Sequence, residues 1–85
     1  MDNRRKRLLF RATHRGTKES DALIGGFISR VVADLSDDQV TEAENLLEES
    51  DLDLVNWVTG REPVPERWQA GLLAQIIAAY EGLAK

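Results

Sequence analysis

Arg15, Gly16 and Glu19 form an R-G-x-x-E run that puts a guanidinium, a glycine able to turn the chain and a carboxylate within five residues. An arginine fork and a carboxylate pointing the same way would offer both halves of a polar clamp to another molecule. The glycine permits the close turn that aligns them. A plainer assignment also stands on residue chemistry alone. Gly16 would end one helix, Glu19 would sit in the first turn of the next, where the helix dipole favours an acid, and Arg15 would be solvated. In either case Arg15 and Glu19 are expected on the surface, at the junction of two helices.

Other reactive side chains form no recognisable catalytic arrangement. His14 is the single histidine; no nucleophile and acid accompany it, and it reads as a partly exposed residue at a helix end. Asp37–Asp38 and Glu48–Glu49 are adjacent pairs, and neighbours in a helix do not face each other. With no cysteine and one histidine, the composition argues against a zinc site and against a disulfide framework. Gly25–Gly26 fits neither nucleotide-binding fingerprint. No enzymatic activity, metal or stably bound cofactor is expected.

Five helical patterns and no convincing period-2 strand must position these residues. The first covers about Asn3 to Thr13, with Leu8, Leu9 and Ala12 apolar; at this length it must dock to persist. The second runs from about Lys18 to Ala33, with Leu23, Ile24, Phe27, Ile28, Val31 and Val32 at three- and four-residue steps and Thr17 as N-cap. Gly25–Gly26 inside it reads as a kink or a close helix contact. Ser36 to Gln39 is a capping box opening a third helix, with Val40, Ala43, Leu46 and Leu47 buried. Ser50–Asp51 closes it and caps a fourth, carried by Leu54, Val55, Trp57 and Val58 and stopped at Gly60. A fifth is expected from Pro65 onward, with Trp68, Leu72, Ile76 and Tyr80 on one row and Leu73, Ile77 and Ala84 beside it. Short connections imply neighbour packing, so the predicted fold is all-α, a compact antiparallel bundle of five short helices. Its expected core holds Leu23, Phe27, Ile28, Val31, Leu47, Val55, Trp57, Leu72, Leu73, Ile76 and Ile77.

Eighty-five residues suit a single domain, 1–85, of marginal stability. The net charge of −4 conceals an asymmetry: residues 1–18 carry seven Lys/Arg against Asp2 alone, while residues 19–85 carry four against fourteen acids. The basic end is either a solvated counterweight to an acidic body or an edge that faces an anion or a partner. Arg4 to Arg7, with Arg11 and Arg15 behind them, could contact phosphates, which makes nucleic-acid binding the alternative function. The acidic body and the lack of a base-reading helix argue against it. No apolar run is long enough for a membrane-spanning helix, and only Leu8-Leu9-Phe10 follows the N-terminal basic run, too little for a secretory signal. A bacterial cytoplasmic location is expected, with no membrane insertion.

The order and spacing of Arg15-Gly16-Thr17-Lys18-Glu19, Leu35-Ser36-Asp37-Asp38, Leu46-Leu47-Glu48 and Asp53-Leu54-Val55-Asn56-Trp57 resembles the small succinate dehydrogenase assembly factors, the flavinators. The resemblance runs from about Arg4 to about Tyr80. It implies an assembly factor that binds the flavoprotein subunit of succinate dehydrogenase, with fumarate reductase as a second client of the same kind. The factor would promote covalent attachment of FAD, a cofactor carried by the client and joined to a client histidine. The family's motif carries over to Arg15, Gly16 and Glu19, with Arg11, His14 and Asp21 beside them in the expected partner-binding set. His14 stands where the family often has arginine, and Ser20 where an aliphatic residue is frequent. The free protein is expected to be a monomer. A toxin-neutralising role, sometimes attached to members of this family, finds no support in the residues.

Overall fold

A computed structural model describes residues 1–83 and is all-α, with no strand among the described residues. Helix α1, Asn3–Thr13, opens on Asp2, whose side chain accepts the Arg5 amide. Helix α2 is continuous over 18–34 but changes pitch along its length. It is α-helical over Lys18–Ser20, a π-helix over Asp21–Gly25, α-helical again over Gly26–Val31, and ends as a 3₁₀ turn, Val32–Asp34. Helix α3, Asp37–Leu46, starts with the expected capping box between Ser36 and Gln39. Helix α4, Asp51–Val58, is capped by Ser50, whose side chain accepts the Asp53 amide. Helix α5 is Leu72–Leu83.

The π-turn in α2 ends at a close packing contact. Gly25 is buried, and a Cβ built there would lie 2.7 Å from the Ala12 carbonyl oxygen and 3.1 Å from the Thr13 Cα. A glycine at this point lets α2 lie directly on the backbone of α1, so Gly25 marks a close helix contact and not a break. Single-turn π segments also shift the register of the following residues. Phe27 and Ile28 downstream still reach the core, at 7% and 1% exposure.

One core joins all five helices. Leu8 and Ala12 from α1 meet Ile24, Phe27 and Ile28 from α2, Val40, Ala43 and Leu46 from α3, Leu54, Trp57 and Val58 from α4, and Leu72, Leu73 and Ile76 from α5. Of the expected core, Leu23, Val31 and Ile77 are half-buried and pack against its edge. Ala84 lies outside the described residues.

The start of the last helix differs from expectation. Glu66–Trp68 is an isolated 3₁₀ turn and α5 begins only at Leu72, so Trp68 does not share a helical row with Leu72. Gly71 intervenes with φ +86°, a left-handed conformation that breaks the helical path. Glu42 then accepts the Leu72 amide at 2.7 Å, so a carboxylate from α3 caps α5 from thirty residues away.

Candidate functional site

The junction of α1 and α2 is built by four local devices. His14 ends α1, stacked on Phe10 with ring centroids 4.0 Å apart and Nδ1 2.9 Å from the Phe10 carbonyl oxygen. Gly16 turns the chain with φ +102°. Thr17 caps α2 by accepting the Ser20 amide. Asp21 reaches back so that its Oδ1 accepts the Arg15 amide at 2.8 Å, pinning the motif's backbone. No heavy atom lies within 4 Å of a Cβ built on Gly16. The requirement for glycine is therefore conformational within this chain, and any steric consequence of a side chain would fall on whatever docks there.

Arg15 departs from expectation. It is not a solvated surface cation: its side chain is only 11% exposed. It lies across the end of α3, donating from Nη1 to the Leu47 carbonyl and from Nη2 to the Glu49 carbonyl, both at 2.8 Å. Its Nε donates to Asp51 Oδ1 at 2.5 Å. The physical reason is that α3 ends with unpaired carbonyls, which carry the negative end of the helix dipole. A guanidinium presents several donors in a fixed fork and satisfies them at once.

One further residue joins this cluster. Ser20 is fully buried and its hydroxyl donates to Asp51 Oδ1 at 3.2 Å. Asp51 is thus held between α2 and the start of α4, where Ser50 already supplies the cap. Nothing local in the sequence ties Asp51 to Arg15; Asp51 reads there only as part of the Ser50–Asp51 cap.

Glu19 is the outward half of the motif. It is exposed in the first turn of α2 and makes no ion pair among the described residues. The motif's two charged groups therefore do not form one clamp: Arg15 braces the fold and Glu19 faces solvent. Arg11 is exposed and pairs with Glu48 at 3.1 Å; His14 is exposed; Asp21 is half-buried.

The basic end is largely matched from within the chain. Arg4 grips Glu44 through Nη2 at 2.8 Å and Nε at 3.2 Å. Arg5 meets Asp2, Asp37 and the Leu35 carbonyl. The Arg4 guanidinium holds the Glu44 carboxyl below its ordinary range. Among the described residues, Lys6, Arg7 and Lys18 make no ion pair, and with exposed Phe10 the first two form a basic, aromatic face on α1.

The family model described as "Flavinator of succinate dehydrogenase" matches residues 6–80. The chain belongs to the succinate dehydrogenase flavinator family. It is 43% identical over 74 residues to a protein of Acetobacter pasteurianus named FAD assembly factor SdhE, a match covering 87% of this chain and 68% of that one. It is 39% identical to the mitochondrial succinate dehydrogenase assembly factor 2 of Mycosarcoma maydis, over 87% of this chain and 33% of the fungal protein. The corresponding Candida glabrata protein is 36% identical, over 81% and 47%. The chain thus spans less than half the length of these two fungal relatives. The flavinator match includes Arg15, Gly16, Glu19 and Asp51, so the brace and the exposed carboxylate both lie inside it.

Proposed function

We propose that this flavinator-family chain binds the flavoprotein subunit of succinate dehydrogenase, with fumarate reductase as a further client, and promotes covalent attachment of FAD to it. The observation that carries this reading is the division inside the R-G-x-x-E motif. Arg15 and Asp21 fix the backbone of the turn, and Glu19 is left exposed with no ion pair among the described residues. A carboxylate held ready on a braced turn suits recognition of another protein.

The factor contributes no reacting group in this reading. It binds the client conformation in which FAD and the acceptor histidine are correctly placed, and so raises the population of that state. FAD stays with the client.

A bacterial cytoplasmic location, a monomer when free, a single domain and no nucleic-acid partner belong to the same reading. Against nucleic acid stands the engagement of Arg4, Arg5, Arg11 and Arg15 in pairs with Asp2, Asp37, Glu44, Glu48 and Asp51, which leaves few cations for phosphates. The test is deletion of the gene followed by in-gel fluorescence of the denatured flavoprotein subunit. Loss of covalent flavin, restored by the wild-type chain, is expected; undiminished fluorescence in the deletion strain would refute the proposal.

A further inference from the structure

Between the first turn of α2 and the outward side of α4 lies a hollow of about 220 Å³, lined by Thr17, Glu19, Asp51, Leu52, Val55 and Arg61. Its chemistry is divided. Leu52 is 70% exposed, the most exposed of the large apolar side chains at the described positions, while Val55 is 6% exposed and forms the floor. Glu19 stands at one border and Arg61, past the end of α4, at another. Both are exposed, and neither forms an ion pair among the described residues. The two do not pair with each other although they line the same hollow.

An exposed leucine beside a buried valine, bordered by a carboxylate and a guanidinium, is an apolar strip with a charge of each sign at its edges. Such a surface recognises a segment with an apolar side chain flanked by complementary charges. Burial of Leu52 over the Val55 floor would supply affinity, and the edge charges would fix direction and register.

We propose that this hollow, with Leu52 and Val55 at its centre, is the docking groove for a segment of the flavoprotein client. The segment carries a lysine or arginine for Glu19, an apolar side chain for Leu52 and Val55, and a carboxylate for Arg61. The inference rests on the client reading given above and adds the surface and the chemistry of the bound segment. It also assigns Leu52, Val55 and Arg61 to recognition, beyond the motif. Arg15 lies behind this groove: its bond to Asp51 fixes one wall, so it acts on the client through position and not through contact.

The experiment measures capture of the purified flavoprotein subunit of succinate dehydrogenase by the full-length chain and by Leu52→Lys, Arg61→Glu and Gln75→Ala. The last is an exposed position on α5, remote in sequence from the groove. Circular dichroism and thermal unfolding of each variant accompany the titration. Leu52→Lys and Arg61→Glu are expected to stay folded, because both side chains are exposed, and to weaken capture by tenfold or more, while Gln75→Ala binds as wild type. Wild-type affinity in Leu52→Lys, or an equal loss in Gln75→Ala, would overturn the groove and leave the client reading intact. Failure of the wild-type chain to bind the subunit would remove the client reading and the groove with it. Concentration-dependent self-association of the wild-type chain, abolished by Leu52→Lys, would assign the groove to a second copy and overturn the proposal.

Discussion

The Arg15 guanidinium and the Asp51 carboxylate meet across 36 positions of sequence, Nε to Oδ1 at 2.5 Å, and tie the motif turn to the start of α4. Arg15 also donates to the last carbonyls around the end of α3. It is thus both a helix C-terminal partner and one half of a largely buried ion pair.

Arg15→Ala should therefore be destabilising, against the expectation for a surface residue. Hydrogen bonds to a charged group are worth roughly 1.5–3 kcal/mol each, and the variant leaves Asp51 without its cation. A loss of unfolding free energy of that order, read as a lower urea midpoint at unchanged slope, is expected. Arg15→Ala, Asp51→Ala and the double variant form a cycle in which the pair's coupling should be about 0.5–3 kcal/mol. Strict additivity would show that the two residues act independently.

Glu19→Ala should separate stability from function. The side chain is exposed and makes no ion pair among the described residues, so the change should stay within about 0.5 kcal/mol plus a small dipole contribution. Covalent flavin on the client should nevertheless not be restored in cells lacking the native factor. Full flavinylation by a folded Glu19→Ala protein would return Glu19 to a helix-terminus role alone.

Gly25 and Gly26, adjacent in sequence, should respond in opposite ways to alanine. At Gly25 the new methyl meets the Ala12 carbonyl oxygen at 2.7 Å, a backbone atom that can yield only if α1 and α2 separate, so Gly25→Ala should cost about 1–3 kcal/mol. At Gly26 the nearest atom is the Arg30 Nη1 at 3.9 Å, so the gain in helix propensity, up to ~1 kcal/mol, should prevail. Thermal unfolding of the two variants decides it; equal shifts would contradict the close contact.

Acid stability should depend on Glu49. The Trp68 Nε1–H and then the Arg67 guanidinium bond to its carboxylate, and both hold its pKa below the ordinary glutamate value of 4.5. A depressed folded pKa contributes stability that is fully present above the unfolded value and is lost as pH falls through the folded one. The unfolding free energy should decline from about pH 4.5 downward. Glu49→Gln should flatten part of that decline while lowering stability at neutral pH. An unchanged acid limb would argue against the Trp68–Glu49 bond.

Much of the fold was legible because its signals are local. Thr17, Ser36 and Ser50 cap amides three residues ahead, and a cap needs only its own helix. Apolar residues at three- and four-residue steps located every helix, and Gly16 and Gly60 both take positive φ where a helix was expected to stop. Trp68 misled because an apolar row continues through it on paper, whereas Gly71 turns the chain before Leu72.

What the sequence by itself determined was thus the set of helices, the caps at Thr17, Ser36 and Ser50 and the position of the motif, all consequences of contacts within a few residues. Tertiary structure alone decided what the motif's charges do. A guanidinium is drawn to whatever carbonyls and carboxylate lie within reach, and for Arg15 these come from Leu47, Glu49 and Asp51, more than thirty residues away. The same holds for Glu42, which caps α5. Glu19, at the exposed edge of the same turn, meets no such partner among the described residues, and that difference in surroundings makes one motif residue a brace and leaves the other facing solvent, open to the recognition proposed for it.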